Sequence, residues 1–458
     1  MTTFYIEQFG CRATQADGAA IERQLREQGC LPAADTTSAD VVVLNTCTVT
    51  AAADAQARDA IRKIHAANPC TRILVTGCYA QRAPEEIAVL PGVSFVVGNS
   101  HKPQIPALLQ SISPSPVFTQ RENPIPYHSA LVLRGDVFAL TDVLVAPVLG
   151  GEGNHTRPTL KIQDGCNSRC SFCVIPFVRG KSRSLPAAKV IAEIQRLADS
   201  GFREIVLSGI NLGTYGRDLS PRIEFLELLR RILGETSLER LRISSIEPLD
   251  VTQDLIELFA ASDRIAPHFH MPLQSASDRI LAAMHRWYRA EHYARRVELI
   301  RERLPHAAIG ADVITGFPGE TEADYAETVR FIEERPFTYL HVFSYSLRPG
   351  TKAASLPGHV PGHLIRRGAR ELRAMGEAKS EKFRRSQIGR TLRVLTLRCD
   401  PKDDPLQTPA LSENYLPVMV PEVLPPNEWL TVSVSHEDGK NLIALPLEAM
   451  VMNAEGGV

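Results

Sequence analysis

Six of the nine cysteines are placed where thiolates could bind metal. Cys166, Cys170 and Cys173 form a Cys-x3-Cys-x2-Cys run on one short segment. Three closely spaced thiolates can hold three irons of a 4Fe-4S cube, whereas a usual cluster takes four Cys ligands. The run therefore predicts a cluster with one iron left open. A closed structural zinc site is the alternative, but it normally needs a fourth Cys or His nearby, and the nearest following histidine is His268.

The second set of cysteines is dispersed along the first 80 residues. Cys11, Cys47 and Cys78 each end a predicted strand, and each lies near Gly or Asn. The carboxyl ends of neighbouring strands in an open parallel sheet face one crevice, where such sheets bind ligands. Three cysteines that are distant in sequence can therefore converge on one metal site. The alternative is three small buried hydrophobes, since free Cys is commonly buried.

The remaining three cysteines, Cys30, Cys70 and Cys399, lack such placement, and we predict that they are unligated. An odd number of cysteines at low density favours metal ligation in a reducing compartment over a disulfide framework.

The elements that must position these thiols alternate in type. Over residues 1 to about 100, short apolar runs such as Val41-Val42-Val43-Leu44 alternate with helical patterns such as 54–67. That rhythm is typical of βαβ units with a parallel sheet. A second alternation begins at Thr159, with candidate strands near 159–164, 204–208, 239–246, 266–271, 308–315 and 338–345. Six such units predict part of a parallel barrel, with the Cys166 run at the carboxyl ends of its strands, where these barrels keep their active sites.

The last part of the chain changes character. Leu364 to Arg385 reads as a connecting helix, and beyond Gly389 a period-two pattern with Pro-rich loops predicts a small antiparallel β domain. The predicted class is therefore α/β. Its parts are a parallel α/β domain over 1–110, a linker over 111–156, a partial (β/α) barrel over 157–385 and a β domain over 386–453.

Composition excludes several classes of protein. The chain has 458 residues, of which 44% are apolar and 22% charged, so it has the length and apolar content for sizeable cores and is neither disordered nor a disulfide miniprotein. A formal charge of -1 gives no global field for nucleic acid or membrane. No apolar run approaches the roughly 18 residues of a membrane span, and the start lacks a targeting pattern. We expect a cytoplasmic protein with no membrane partner.

The segment from Lys161 to Cys173 resembles the radical S-adenosylmethionine (SAM) superfamily. This resemblance implies that SAM chelates the open iron and is cleaved reductively to a 5′-deoxyadenosyl radical. The superfamily's Gly-Gly-Glu-type motif is replaced here by Leu207-Ser208-Gly209-Ile210-Asn211. Ser245, Glu247 and Gln274 follow later strands and are candidates to bind the nucleoside or the substrate, although such residues are as often loop caps.

With both triads in view, the sequence resembles the methylthiotransferases over nearly its whole length. The resemblance implies an auxiliary 4Fe-4S cluster on Cys11, Cys47 and Cys78, a radical cluster on the other triad, and a C-terminal TRAM-like domain. The segments 45–50, 77–81 and 96–99 look most like the MtaB-type subgroup. That subgroup converts threonylcarbamoyladenosine, next to the tRNA anticodon, into its 2-methylthio derivative.

The implied chemistry needs no nucleophilic side chain. Carbon 2 of adenine is an unactivated C–H position, so a radical must be used, and cofactors supply such chemistry. The partners implied are tRNA, an electron donor protein and a sulfur source, and we predict no catalytic side chain. Two alternatives stay open: methylthiolation of an aspartate on a ribosomal protein, and a noncatalytic iron-sulfur protein that senses oxidants or binds RNA.

Basic residues that could meet RNA phosphates occur locally. The 364–385 helix has eight Lys or Arg against three Glu, which a solvated helix face explains about as well. Arg179, Lys181 and Arg183 follow the radical triad, and we expect them to be better placed for a substrate phosphate. The region from Thr391 onward is acidic overall, against what an RNA-binding module suggests.

Overall fold

The computed structural model describes residues 2–110, 130–144, 146, 156–399, 404 and 406–447. Its strands are β1 Thr3–Gln8, β2 Leu31–Pro32, β3 Val41–Thr46, β4 Arg72–Gly77, β5 Val93–Gly98, β6 Leu131–Leu133, β7 Thr159–Asp164, β8 Arg183–Ser184, β9 Glu204–Gly209, β10 Arg240–Ile243, β11 His268–Gln274, β12 Ala308–Thr315, β13 Tyr339–Ser344, β14 Thr391–Thr396, β15 Thr408–Ser412, β16 Pro417–Val420, β17 Trp429–Asp438 and β18 Asn441–Pro446. Its α-helices are α1 Arg12–Glu27, α2 Ala51–Ala67, α3 Cys78–Arg82, α4 Pro84–Ala88, α5 Ile105–Gln110, α6 Ile175–Arg179, α7 Ala187–Asp199, α8 Phe225–Glu235, α9 Gln253–Ala261, α10 Asp278–Ala283, α11 Ala290–Arg303, α12 Glu322–Glu334 and α13 Gly362–Arg385.

The chain forms two compact units. Unit 1 comprises Met1–Val148, Leu160–Leu185 and Ser346–Ala354, and unit 2 comprises Leu149–Thr159, Pro186–Tyr345 and Ser355–Val458. Both predicted cysteine triads lie in unit 1. The predicted linker over 111–156 lies largely outside the described residues, and the four-part division of the chain stays a proposal about sequence modules.

Unit 1 is built on a six-stranded parallel sheet in the order β2-β1-β3-β4-β5-β6. Successive residues of β3 point to opposite faces: Val42 packs in one core with Ile61 of α2, and Val43 packs in another with Ile21 of α1. Helices therefore cover both faces, as the near-continuous apolar strands require. Thr50 caps the N-terminus of α2, where its side chain accepts a hydrogen bond from the backbone N–H of Ala53.

Unit 2 contains an arc of parallel strands. β9 pairs with β10, and β11, β12 and β13 pair in that order. An isolated bridge between Leu241 and Ile265 and a 3.0 Å hydrogen bond from Ile246 N–H to the His270 carbonyl join β10 to the β11 side. These five strands coincide with five of the six predicted for the partial barrel, and the sixth predicted strand is β7.

The C-terminal strands close into a small barrel in the order β14-β15-β16-β18-β17. All its pairings are antiparallel except that between β16 and β18. The guanidinium of buried Arg242 donates to the carbonyls of Ser412 and Glu413 at 3.3 and 3.1 Å, and Arg240 lies over the Trp429 ring at 4.1 Å. The predicted α/β class, with its small C-terminal β domain, is confirmed. No helix within the described part of the chain is both long and apolar enough to cross a membrane.

Candidate functional site

The dispersed cysteines lie at the carboxyl ends of three adjacent strands of the unit 1 sheet. Cys11 follows β1 and caps α1, Cys47 follows β3, and Cys78 follows β4 and begins α3. β1 pairs with β3 and β3 with β4. Cys47 and Cys78 are buried, whereas Cys11 is exposed. The sheet therefore brings to one edge three thiols that are up to 67 positions apart in sequence.

Two glycines bring the backbone of these loops close together. Gly10 has φ +101°, and a Cβ there would lie 2.4 Å from the Cβ of Cys47 and 2.9 Å from its Sγ. Gly77 has φ +100°, and a Cβ there would lie 2.3 Å from the Thr46 carbonyl oxygen. Both positions need positive φ and no side chain. Gly10 and Gly77, which precede Cys11 and Cys78 in the sequence, therefore allow the cysteine loops to pack closely.

The thiols of this triad affect one another electrostatically. Burial raises the pKa of Cys47 to about 12, and the neighbouring thiols of Cys78 and Cys11 act in the same direction. A thiol in this setting stays protonated in the absence of a metal. Binding iron requires the thiolate, so metal binding at such a site releases protons and contributes to the stability of the fold.

The second triad lies on an irregular loop between β7 and α6. Gly165, at φ +71°, starts this loop where a Cβ would lie 2.0 Å from the Lys181 carbonyl oxygen. The loop closes through a 3.1 Å hydrogen bond from Cys166 N–H to the Gly180 carbonyl, and Cys173 N–H donates to the Cys170 carbonyl at 3.1 Å. All three thiols are partly exposed. The loop thus presents three thiols at its surface from a fixed backbone.

Helix α6 packs the second triad's segment against the first. Val174 and Val178, which follow Cys173 closely in the chain, form a small apolar cluster with Cys78. The Asn99 side-chain amide donates to the Val178 carbonyl at 2.7 Å and contacts Cys78 Sγ at 3.6 Å. The two triads predicted from separate parts of the sequence therefore belong to one packed assembly within unit 1.

A buried charge network adjoins this assembly through Arg179 of α6. Arg179 of α6 bridges two carboxylates, at 3.0 Å to Asp17 of α1 and 2.9 Å to Asp164 of β7. Lys161 pairs with both of these carboxylates, and Lys102 pairs with Asp17. The six ionisable members, all below 9% exposed, are Asp17, Lys102, Lys161, Asp164, Arg179 and Arg183.

This network has four cations against two carboxylates. Burial disfavours a carboxylate, but Arg179, together with the two lysines, outweighs it and holds the pKa of Asp17 well below its usual range. Arg179 in turn keeps a raised pKa despite burial, through Asp164 and Asp17 and then the thiols of Cys78 and Cys11. Unpaired buried charge is costly. The two extra positive charges therefore favour anionic groups nearby, and the thiols of Cys78 and Cys11 are among the groups that act on Arg179.

Two sequence-based expectations need correction. We expected Arg179 and Arg183 to be placed for a substrate phosphate, but both are buried: Arg179 pairs with carboxylates, and Arg183 donates to the Arg179 and Lys181 carbonyls at 2.8 Å. Only Lys181 of that group is exposed. The sequence shows the charge of these arginines but not their burial, which depends on acceptors elsewhere in the chain.

Sequence reasoning also missed the return of the segment Ser346–Ala354 into unit 1. Arg348 pairs with buried Asp54 of α2 at 2.5 Å, and Arg82 pairs with the same carboxylate at 3.0 Å. The Ala353 N–H donates to the carbonyl of Ser171, inside the second triad's loop, at 2.8 Å. This short segment therefore supports the cysteine loops from a distant part of the chain.

The other candidates lie in unit 2. Glu247 forms an ion pair with Arg286, and Gln274 ends β11 at φ +63° beside a register shift. Of the three cysteines predicted to be unligated, Cys30 lies in the core against α1, Cys70 is exposed after α2, and Cys399 is exposed with its thiol 3.6 Å from the Gln407 carbonyl. A polar group missed from the sequence lies on β11 to β13, comprising His268, His270, Asp312, Tyr339 and His341.

Comparisons with known proteins match two parts of this chain to protein families. Residues 3–98 match the family described as Uncharacterized protein family UPF0004, and residues 160–332 match the Radical SAM superfamily. The solved structure of the radical SAM methyltransferase TsrM from Kitasatospora setae, with cobalamin and a 4Fe-4S cluster bound, covers 77% of this chain and 77% of its own at a TM-score of 0.56 and 17% identity. That likeness concerns the fold alone.

Curated relatives are similar over most of their length. The threonylcarbamoyladenosine tRNA methylthiotransferase MtaB of Aquifex aeolicus is 37% identical over 413 residues, covering 90% of this chain and 95% of the relative. MtaB of Bacillus subtilis is 37% identical, with 86% and 85% covered. The tRNA-2-methylthio-N(6)-dimethylallyladenosine synthase of Thermobifida fusca is 35% identical, with 96% and 88% covered. At this identity and coverage, the chain belongs to the radical S-adenosylmethionine tRNA methylthiotransferases.

Proposed function

We propose that this enzyme transfers a methylthio group to carbon 2 of threonylcarbamoyladenosine in tRNA, using SAM and two 4Fe-4S clusters. The observation that carries the proposal is the packing of two separate cysteine triads into one compact unit, joined by α6. We propose Cys11, Cys47 and Cys78 as ligands of the auxiliary cluster, and Cys166, Cys170 and Cys173 as ligands of the cluster that binds SAM.

The residues present fit these groups. Each triad supplies three thiols, which suits a cube with one open iron better than a closed zinc site with four ligands. The Nε of Arg179 is buried without a hydrogen-bond partner among the described residues, so a donor is available to an incoming anionic group. The excess buried positive charge around Asp17 suits the same kind of group.

Once bound, the cofactors would supply the radical chemistry: the cluster on Cys166, Cys170 and Cys173 would supply the electron that cleaves one SAM, a second SAM would supply the methyl group, and the site on Cys11, Cys47 and Cys78 would hold the sulfur. The chain's own residues bind and orient. The sheet edge fixes Cys11, Cys47 and Cys78, α6 holds the second loop against Cys78, and burial of Cys47 and Cys78 limits access of water. A protein electron donor and a sulfur source complete the reaction, and a tRNA substrate would place it in the cytoplasm.

The choice of nucleoside is tested by mass spectrometry of tRNA from cells with and without this chain. We expect loss of the 2-methylthio derivative of threonylcarbamoyladenosine, with dimethylallyladenosine derivatives unchanged. Relatives named for each of these two nucleosides have comparable identity to this chain. Loss of the dimethylallyl derivative instead would overturn the proposed substrate while leaving the chemistry intact. Loss of methylthiolation from a ribosomal-protein aspartate in the cells that lack this chain, with tRNA unchanged, would instead indicate the protein-modifying alternative.

A further inference from the structure

A compact set of metal-ligating side chains lies in unit 2 and includes no cysteine. His270 of β11 and His341 of β13 both point at one carboxylate oxygen of Asp312 on β12. The distances to Asp312 Oδ1 are 2.9 Å from His270 Nε2 and 3.3 Å from His341 Nδ1. The three potential ligand atoms all lie within 4.8 Å of one another. Two imidazoles and a carboxylate therefore converge on one point.

The strand register produces this convergence. Asp312 lies opposite His341 in the β12–β13 pairing and opposite Pro272, two residues after His270, in the β11–β12 pairing. Side chains alternate along a strand. Phe269, between the two histidines of β11, accordingly stacks on Phe259 of α9 at 4.5 Å on the other face. The polar group thus occupies the face of the strands opposite that helix.

We propose that His270, Asp312 and His341 bind one divalent transition-metal ion of the zinc or ferrous class. Zinc binds imidazole nitrogen at about 2.0–2.1 Å, so two tetrahedral ligands lie roughly 3.3 Å apart. The two observed nitrogen-to-oxygen distances need shifts of only a few tenths of an ångström to admit the ion. Two histidines with one carboxylate and open positions also suit ferrous iron.

Tyr339 contacts the ring nitrogen of His270 that would not bind the ion, as an outer hydrogen-bond partner of a metal ligand does. Its hydroxyl lies 2.9 Å from His270 Nδ1 and 2.7 Å from His268 Nε2. With an ion on Nε2, His270 carries its proton on Nδ1 and donates it to the Tyr339 oxygen, whose hydroxyl then donates to His268. Such outer partners fix the tautomer and orientation of a ligand. Gly310 leaves room for this ring, because a Cβ there would lie 2.0 Å from it.

Exposure leaves one side of the site open. The side chains of His270, Asp312 and His341 are 7%, 22% and 57% exposed. With neutral imidazoles the three groups have one negative charge, which a divalent cation more than offsets. The exposed side at His341 is where a further ligand could reach the ion, as open positions of catalytic sites require.

Zinc binding by the anaerobically reconstituted full chain tests this site. After addition of zinc sulfate and desalting, we expect about one zinc per chain with the iron content unchanged. His270→Ala and His341→Ala should each weaken zinc binding at least about tenfold, since each removes one of three ligands. His363→Ala, at an exposed position on α13, is the matched control and should retain zinc. His341 is itself more than half exposed, so its loss should leave folding intact.

Zinc K-edge spectroscopy distinguishes zinc bound at this site from zinc bound to the cysteines. Nitrogen and oxygen ligands at about 2.0–2.1 Å, with no sulfur shell near 2.3 Å, are expected. A high-spin ferrous signal in Mössbauer spectra of the protein as isolated, absent from His341→Ala, would assign the native ion as iron. Failure of the full chain to retain zinc, equal retention by both histidine variants, or a sulfur shell would overturn the proposal. None of these measurements depends on tRNA modification, so the proposed function is tested separately.

Discussion

At the scale of single residues, the packing of the first triad depends on a glycine without a side chain as well as on the three cysteines. Gly10 lies so close to Cys47 that any side chain at position 10 would displace Cys47, one of the proposed ligands. Gly29, by contrast, also has a positive φ, +80°, but has open space around its Cα. Substituting each glycine therefore distinguishes two costs: backbone strain, which both positions share, and a steric clash with Cys47, which only Gly10 would cause.

Gly10→Ala should therefore lose the auxiliary cluster while Gly29→Ala keeps it. Both variants place a side chain on a left-handed residue, which costs on the order of 1 kcal/mol. Only the first adds a clash with Cys47. Iron analysis after anaerobic reconstitution should give about eight irons per chain for Gly29→Ala and about four for Gly10→Ala. Equal iron contents would show that this close approach does not govern ligand placement.

The charge of Lys102 should set the potential of the auxiliary cluster. Lys102 is buried against Asp17, and Cys78 is among the charges that act on it. Lys102→Met keeps much of the side-chain volume and removes a positive charge, so adding an electron nearby becomes less favourable. We expect a midpoint potential more negative by tens of millivolts, since net charge is one of the factors that set cluster potentials.

The potential is best measured by redox titration in a background lacking Cys166, Cys170 and Cys173, so that only one cluster contributes. Lys63→Met, at an exposed position of α2, is the control and should leave the potential unchanged. If Lys102→Met also left it unchanged while retaining its iron, the network would be purely structural.

At the scale of elements, α13 is the remaining candidate for tRNA contact among the basic segments named from the sequence, because Arg179 and Arg183 are buried. Several of its basic residues already have partners, such as Arg367 with Glu322 and Arg385 with Glu437. Four others are exposed, namely Arg366, Arg370, Arg373 and Lys382, and of these Arg373 donates to the Val342 carbonyl at 3.2 Å. Their placement on a single helix suits contact with a phosphate backbone.

Replacing these four α13 residues by Gln should weaken tRNA binding and flatten its salt dependence. Removal of one phosphate-binding cation reduces the slope of log affinity against log salt by about 0.7–0.9. Across a salt series, the quadruple variant should therefore show a slope smaller by up to about 2.8–3.6 units. Four exposed arginines elsewhere serve as the control, namely Arg62, Arg222, Arg230 and Arg295. An equal effect in both variants would indicate only a general influence of charge.

Elements also explain what the sequence could predict. The cysteines of the first triad are recognisable because each follows a strand, and strand ends in a parallel sheet are positioned by topology alone. The buried charge network cannot be recognised in this way. Asp17, Lys102 and Lys161 come from segments far apart in the chain, and the sequence does not distinguish a buried charged residue from an exposed one. The group on β11 to β13 was missed for a related reason: His270, Asp312 and His341 become neighbours only through the register of three strands.

At the scale of the whole molecule, the proposed reaction is divided between two sites within unit 1. The loop from Cys166 to Cys173 would bind and cleave SAM, and the edge of the sheet would hold the sulfur. Loss of a ligand at one site should therefore leave the other half of the reaction intact. A noncatalytic iron-sulfur protein would show no such division, because it would not cleave SAM at all.

The most direct test compares two cysteine variants under dithionite with SAM and tRNA. Folded Cys47→Ala should yield 5′-deoxyadenosine but no methylthiolated nucleoside, because the radical triad is complete and the auxiliary triad is not. Cys170→Ala should yield neither product. Circular dichroism checks the fold of each variant, since loss of a cluster can unfold the region that depends on it. If folded Cys47→Ala still methylthiolated tRNA at the normal rate, the first triad would be structural and the sulfur would have to come from another site.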